Sequence, residues 1–81
     1  MIIDELKDAR DAMPFYPFTI HMANGRAFRV IHRDYFWLPP GDRIAIFHPV
    51  DSGTHILDIL LMTEIAVESP PIENEFSRAS S

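Results

Sequence analysis

Four histidines, His21, His32, His48 and His55, are the residues of this 81-residue chain best suited to hold a metal ion. They are separated by 11, 16 and 7 positions. None of those spacings is the H-x-H, H-x-x-x-H or H-E-x-x-H pattern that sets two imidazoles on one face of a strand or helix. Only the tertiary fold could bring them together, most plausibly His48 and His55 across the turn at 49–54. The sequence therefore predicts no metal and no cofactor.

Two short runs imitate catalytic loops. Asp51-Ser52-Gly53-Thr54 has the form of the aspartic-protease loop, in which two aspartates share one proton so that one serves as acid and the other as base. A dimer could supply the second copy, but only 27 residues follow Thr54, too few for the rest of such a protease. His32-Arg33-Asp34 spells the kinase catalytic-loop triplet. The glycine-rich loop and D-F-G sequence that the chemistry also requires are missing. Both runs read better as turns, with Asp34 accepting backbone hydrogen bonds and pairing with Arg33. With no nucleophile, base and orienting group in a recognisable arrangement, the reading is that the chain is not an enzyme.

Binding chemistry is better represented. Tyr35-Phe36-Trp37, flanked by Arg33, Arg43 and the Pro39-Pro40 loop, joins aromatic faces to guanidinium groups. Such a combination can stack unpaired bases or clasp a segment of protein. In a strand only alternate side chains share a face, so Phe36 and Leu38 are expected in the core and Tyr35 and Trp37 opposite. The alternative is that Trp37 packs beneath the N-terminal helix.

The elements that must carry these residues follow from periodicity and punctuation. Ile2, Leu6, Ala9 and Met13 recur at helical spacing with charged residues between them, and Asp4 and Glu5 suit a helix N-terminus. Pro14 ends that helix, because the residue before a proline is pushed out of the helical region. Pro17 belongs at the start of a strand, and Phe15, Tyr16 and Phe18 should pack the elbow between helix and strand. Phe18, Ile20 and Met22 alternate with Thr19 and His21.

Asn24-Gly25 marks a hairpin. A two-residue loop would pair Ile20 with Arg29, whereas a three-residue loop, Ala23-Asn24-Gly25, pairs Ile20 with Phe28 and Phe18 with Val30. Only the latter keeps one face apolar, and it places Thr19, His21, Ala27 and Arg29 on the other. Further strands are expected at 35–38, 43–47 and 55–58. Ile59-Leu60-Leu61 reads as one helical turn, and a last strand should turn Thr63, Ile65 and Val67 to one side. Residues 1–68 form one domain on this reading, and the polar, proline- and serine-containing 69–81 a disordered tail. A helix followed by about five short strands is the element order of SH3-like and Sm-like small barrels, which eliminate exposed sheet edges. An open antiparallel sheet with the helix on one face is the alternative.

Composition limits partners. The net charge of −5 opposes a general nucleic-acid binder, whose affinity comes from neutralising phosphates with Lys and Arg. The charge is uneven: residues 15–49 carry +2, residues 1–14 carry −2 and residues 50–81 carry −5. There is no cysteine, so no disulfide supports a core that buries only about 60–65% of the unfolded surface. The acidic start lacks the basic flank and apolar run of a secretory signal, and no apolar run could span a bilayer, so the expected location is the cytoplasm without a membrane partner.

P-F-x-P-F-x-I-H-x-A-N-G-R at 14–26, the turn at 32–36 and I-L-D-I-L-L-M-T-E-I at 56–65 resemble a family of small uncharacterised bacterial proteins common in planctomycete and verrucomicrobial genomes. The resemblance extends over about residues 1–68 and implies a compact β domain, with nothing catalytic. Asn24 stands where the family pattern has Asp, and Arg33-Asp34 where it has Pro-Glu. Sm-like RNA-binding proteins are a weaker likeness. No Asn follows Asp34 where their first RNA-binding loop needs one, and no R-G or K-H pair occurs in 50–68.

The sequence thus favours a non-enzymatic interaction or self-assembly module that binds another protein or copies of itself. Its expected face carries His21, Arg29, Tyr35 and Trp37. The alternative is an Sm-like RNA binder using Arg26, Arg29, Arg33 and Arg43.

Overall fold

The computed structural model of the chain describes residues 1–68. The sequence read as a tail, 69–81, lies outside the described residues. The elements are helix α1 (Ile2–Asp11) and strands β1 (Phe18–Met22), β2 (Ala27–Val30), β3 (Phe36–Trp37), β4 (Ile44–Phe47), β5 (His55–Asp58) and β6 (Met62–Val67). Single 3-10 turns at Arg33–Tyr35 and Ile59–Leu61 precede β3 and β6. The fold is mainly β with one N-terminal helix. No helix among the described residues is long and apolar enough to cross a membrane.

The strands form two antiparallel three-stranded sheets, ordered β2-β1-β6 and β3-β4-β5. Among the described residues these ladders do not join into a closed barrel, which corrects the small-barrel expectation. The reason is local. After Val30 the chain leaves the first sheet, turns through Arg33–Tyr35, and contributes only two residues to the second as β3. A strand long enough to bend from one sheet into the other is thereby cut in two. The open-sheet alternative is nearer, although the sheet is divided and the six strands exceed the five expected.

One core fills the space between the sheets. Phe18 and Ile20 from β1 and Val30 from β2 are fully buried, with Phe36, Ala45, Phe47 and Leu57 reaching in from the second sheet. Aromatic edges lock the layers: Phe18 meets Phe36 at 5.5 Å between ring centroids, and Phe28 meets Phe47 at 5.9 Å. Edge-to-face pairs of this kind add to the area they bury.

The hairpin takes the three-residue loop, with Phe18 opposite Val30, Ile20 opposite Phe28, and Gly25 at a φ of 89°. The positive φ is the bulge position that lets the loop close without reversing the faces.

The helix buries Ile3, Leu6 and Ala9. Met13 stays outside, because α1 ends at Asp11 and Ala12 is already extended. Arg33 is not paired with Asp34. Its guanidinium reaches back more than twenty residues to donate to the Arg10 carbonyl at 2.7 Å and the Ala12 carbonyl at 2.6 Å. It thereby supplies donors and positive charge where the helix end leaves carbonyls unpaired. The 3-10 turn beside it is capped by the His32 ring, which accepts from the Asp34 N–H at 3.3 Å.

β6 departs from simple alternation. Its register shifts between His21 and Met22, so that Glu64 faces His21 and Met62 faces Met22 while Thr63 is the extra residue. The Thr63 hydroxyl donates to the His21 carbonyl at 3.1 Å. This bulge returns Met62 to the core face that the expected alternation assigned to Thr63, and it leaves Thr63 exposed.

Candidate interaction surface

The β4 register defines the exterior of the second sheet. Phe36, Phe47 and His55 form one cross-strand row, and Ala45 pairs with Leu57; these positions face the core. The intervening row is Trp37 on β3, Ile46 on β4 and Ile56 on β5, with Ile44 two residues along β4. Trp37 is 58% exposed and Ile56 67% exposed. Ile44 is also exposed, and Ile46 between them is half-buried. An indole and three isoleucines therefore lie side by side on a solvent face of three adjacent strands. β-branched and aromatic side chains favour this pleated geometry, and ordinarily such a row faces a core. Trp37 does not pack beneath the helix.

The other residues expected on this face lie elsewhere. His21 and Arg29 belong to the outer face of the first sheet, where Thr19 pairs with Arg29 and His21 with Ala27. Arg29 donates two hydrogen bonds to the Glu68 carboxylate, at 2.6 and 3.0 Å. Those bonds, with the charge behind them, hold the Glu68 carboxyl below its ordinary pKa and raise that of Arg29. Tyr35 sits in the 3-10 turn, partly buried against the core, and its carbonyl accepts from the His48 N–H at 2.8 Å. Arg43 is exposed just before β4, and its carbonyl accepts from Ile59. The fold thus separates His21 and Arg29 from Trp37 with the core between them. It brings to Trp37 three isoleucines that no sequence motif had linked to it. The missed signal was the alternation Ile44, Ile46 in β4: read outward it matches Trp37.

The runs that imitated catalytic loops are used structurally. The Thr54 hydroxyl lies 2.7 Å from His48 Nδ1 across the Asp51-Ser52-Gly53 turn. The His55 ring packs between Phe28 and Phe47, at centroid distances of 5.1 and 5.9 Å. Among the described residues no three His, Asp or Glu side chains gather as a metal would require.

What the surface can do chemically is exclude water against another apolar surface. Its centre carries neither an acid nor a base. Comparisons with protein-family models, curated proteins and solved structures find no match to this chain.

Proposed function

We propose that the chain is a non-enzymatic interaction module that self-associates through the outer face of β3-β4-β5. The observation that carries this reading is the exposed row Trp37, Ile46 and Ile56 with Ile44 beside it. Contiguous apolar surface on a small soluble domain marks a contact surface, and tryptophan is the residue type most often at the energetic centre of one. A second copy is the partner this face fits. The only charged side chain among these outward ladder positions is Asp58, opposite Ile44 at the margin, and its carboxylate is turned to the Leu60 N–H at 2.9 Å. An apolar sheet face of this kind can meet its own copy under two-fold symmetry, and face-to-face packing is how antiparallel sheets bury a second apolar side. The net charge of −5 does not oppose this locally, because the row itself is uncharged. Self-association also adds buried area to a small core.

RNA binding through the arginines has weaker support. Arg29 is engaged by Glu68 and Arg33 by the helix carbonyls, while Arg26 lies over the Phe28 ring at 4.9 Å. Three of the four guanidiniums thus already have partners within the chain, which leaves fewer to neutralise phosphates.

The test is sedimentation velocity across a hundredfold concentration range for wild type, Trp37→Ser and Ile56→Glu. Wild type should sediment faster as concentration rises, and both variants should remain at the monomer value with unchanged far-UV circular dichroism. Concentration-independent monomers for all three proteins would remove the proposal. An RNA-dependent shift that collapses with added salt would restore the alternative.

A further inference from the structure

The first sheet has an open edge of a different character. Along β1, the Met22 N–H donates to the Arg26 carbonyl at 2.9 Å, so even-numbered residues of β1 exchange hydrogen bonds with β2. On the other side the Glu68 N–H donates to the Pro17 carbonyl at 2.9 Å, so odd-numbered residues of β1 bond to β6. With the β1–β6 register, this phase turns the backbone groups of Glu64, Ala66 and Glu68 toward β1. The N–H and C=O groups of Ile65 and Val67 point the opposite way, off the edge of the sheet. No backbone partner for either residue is found on that side among the described residues.

A groove runs beneath this edge. It is a shallow groove, open to solvent, of about 370 Å³, lined by Ala9 and Ala12 from α1 and its end, Ile65 and Val67 from β6, and Glu5 and Asp8. Ile65 and Val67 pair with Ile20 and Phe18, so their side chains are on the core side of the sheet, yet Val67 remains exposed. The small alanines leave the space open. Across the sheet, Glu64 and Glu68 stand on the outer face, and no ion pair engages Glu5, Asp8 or Glu64 among the described residues.

We infer that the β6 edge binds an extended segment of a partner protein in which apolar and basic residues alternate. Added as a fourth strand, such a segment would bond to the backbone of Ile65 and Val67, as in strand addition to other open edges. Its period of two would send apolar side chains into the groove and basic side chains to the outer face, beside Glu64, which no ion pair engages among the described residues, whereas Glu68 is already held by Arg29. Glu5 and Asp8 lie on the groove side of the edge, so they favour such a segment through its overall positive charge rather than by pairing with those outward basic side chains. The chain's own C-terminal sequence is a poorer occupant, because Glu73 and Glu75 bring the wrong sign. This site is on the opposite sheet from the self-association surface and does not depend on it.

The test uses the full chain and a fluorescein-labelled heptapeptide, Lys-Val-Lys-Val-Lys-Val-Lys, read by fluorescence anisotropy. Controls are its Glu-Val counterpart and a block isomer with all valines first. The alternating lysine peptide should bind saturably, and both controls at least about tenfold more weakly. Val67→Pro removes one outward N–H without touching the β1–β6 ladder, and it should weaken binding about tenfold. Ala12→Phe, which fills the groove, should do the same and provides the result if the proline variant fails to fold. Asp8→Lys should weaken binding further in low salt than in high salt. Equal binding of the block isomer, unchanged affinity in Ala12→Phe, or no saturable binding of the alternating peptide would each overturn the inference.

Discussion

The outer faces of the two sheets flank the same core but carry different chemistry. On β2-β1-β6 the outward positions are Thr19, His21, Ala27, Arg29 and Glu64, and the bidentate Arg29–Glu68 pair spans the sheet from one edge strand to the end of the other. On β3-β4-β5 the corresponding positions are Trp37, Ile44, Ile46 and Ile56, with Asp58 at the margin opposite Ile44. The first is an ordinary solvated face of an antiparallel sheet, polar out and apolar in. Apart from Asp58, the second is apolar on both sides. A sheet buried on both faces reads as a run of apolar residues, and Ile44-Ala45-Ile46-Phe47 has that composition although only one of its faces meets this chain's core. That difference is the ground on which a second layer is proposed.

The comparison can be broken most severely at the core both sheets share. Phe18→Ala should cost about 3–5 kcal/mol, a large part of the stability of a domain this size. Far-UV circular dichroism under urea should then show both sheets lost in a single transition at a sharply lower midpoint. Loss of only part of the β signal would mean that the sheets fold independently. Arg33→Ala is next, at about 1–2 kcal/mol, because it leaves the helix-end carbonyls of Arg10 and Ala12 without these donors. Amide exchange should speed up first in α1. An unchanged urea midpoint would mean that water replaces the guanidinium without loss.

Gly25→Ala should cost about 1 kcal/mol. Nothing crowds the position within 4 Å, so the penalty comes from the backbone at a φ of 89°. A restored midpoint in Gly25→Asn, which tolerates that conformation, separates this from a packing effect.

The smallest expected effect concerns the charged face. Hydrogen bonds from Arg29 lower the folded-state pKa of Glu68 below its unfolded value. The contribution to stability is therefore present above the unfolded pKa of about 4.3 and is lost as pH falls through the folded value. Because the pair is exposed, the loss should be slight and should vanish in high salt. Urea midpoints for wild type and Glu68→Gln at several pH values between 3 and 7 test the direction. A difference that grows as the pH falls would contradict it.

Much of the fold was legible because its information is local. A helix that stops ahead of Pro14, the hairpin register from Asn24-Gly25 and the single turn at Ile59–Leu61 depend on residues adjacent in the chain, although α1 ends at Asp11 and leaves out Met13. The failures share a different cause. Arg33 finds its partners at the end of a helix more than twenty residues earlier, so no spacing rule could identify it as that helix's cap. The bulge at Thr63 has no glycine or proline to announce it and appears only when β6 is set against β1.

The candidate surface was half legible. Alternation correctly set Trp37 on the opposite side from Phe36 and Leu38. The sequence places His21 and Arg29 on the same face as Trp37, whereas the chain changes sheets between β2 and β3, which puts them on different sheets. Ile44, Ile46 and Ile56 are read from the sequence only as parts of strands, with no face assigned to them. Composition alone does not distinguish an isoleucine facing its own core from one facing a partner.

Trp37 is the single tryptophan of the chain and lies in the row on which the account depends. The most direct test is its fluorescence emission maximum as a function of protein concentration in native buffer, with Ile56→Glu as the control. Self-association through this face should give the emission of a water-exposed indole at high dilution and a shift to the blue as concentration rises, absent in Ile56→Glu. A water-exposed maximum that stays fixed up to the highest attainable concentration would contradict self-association through this face.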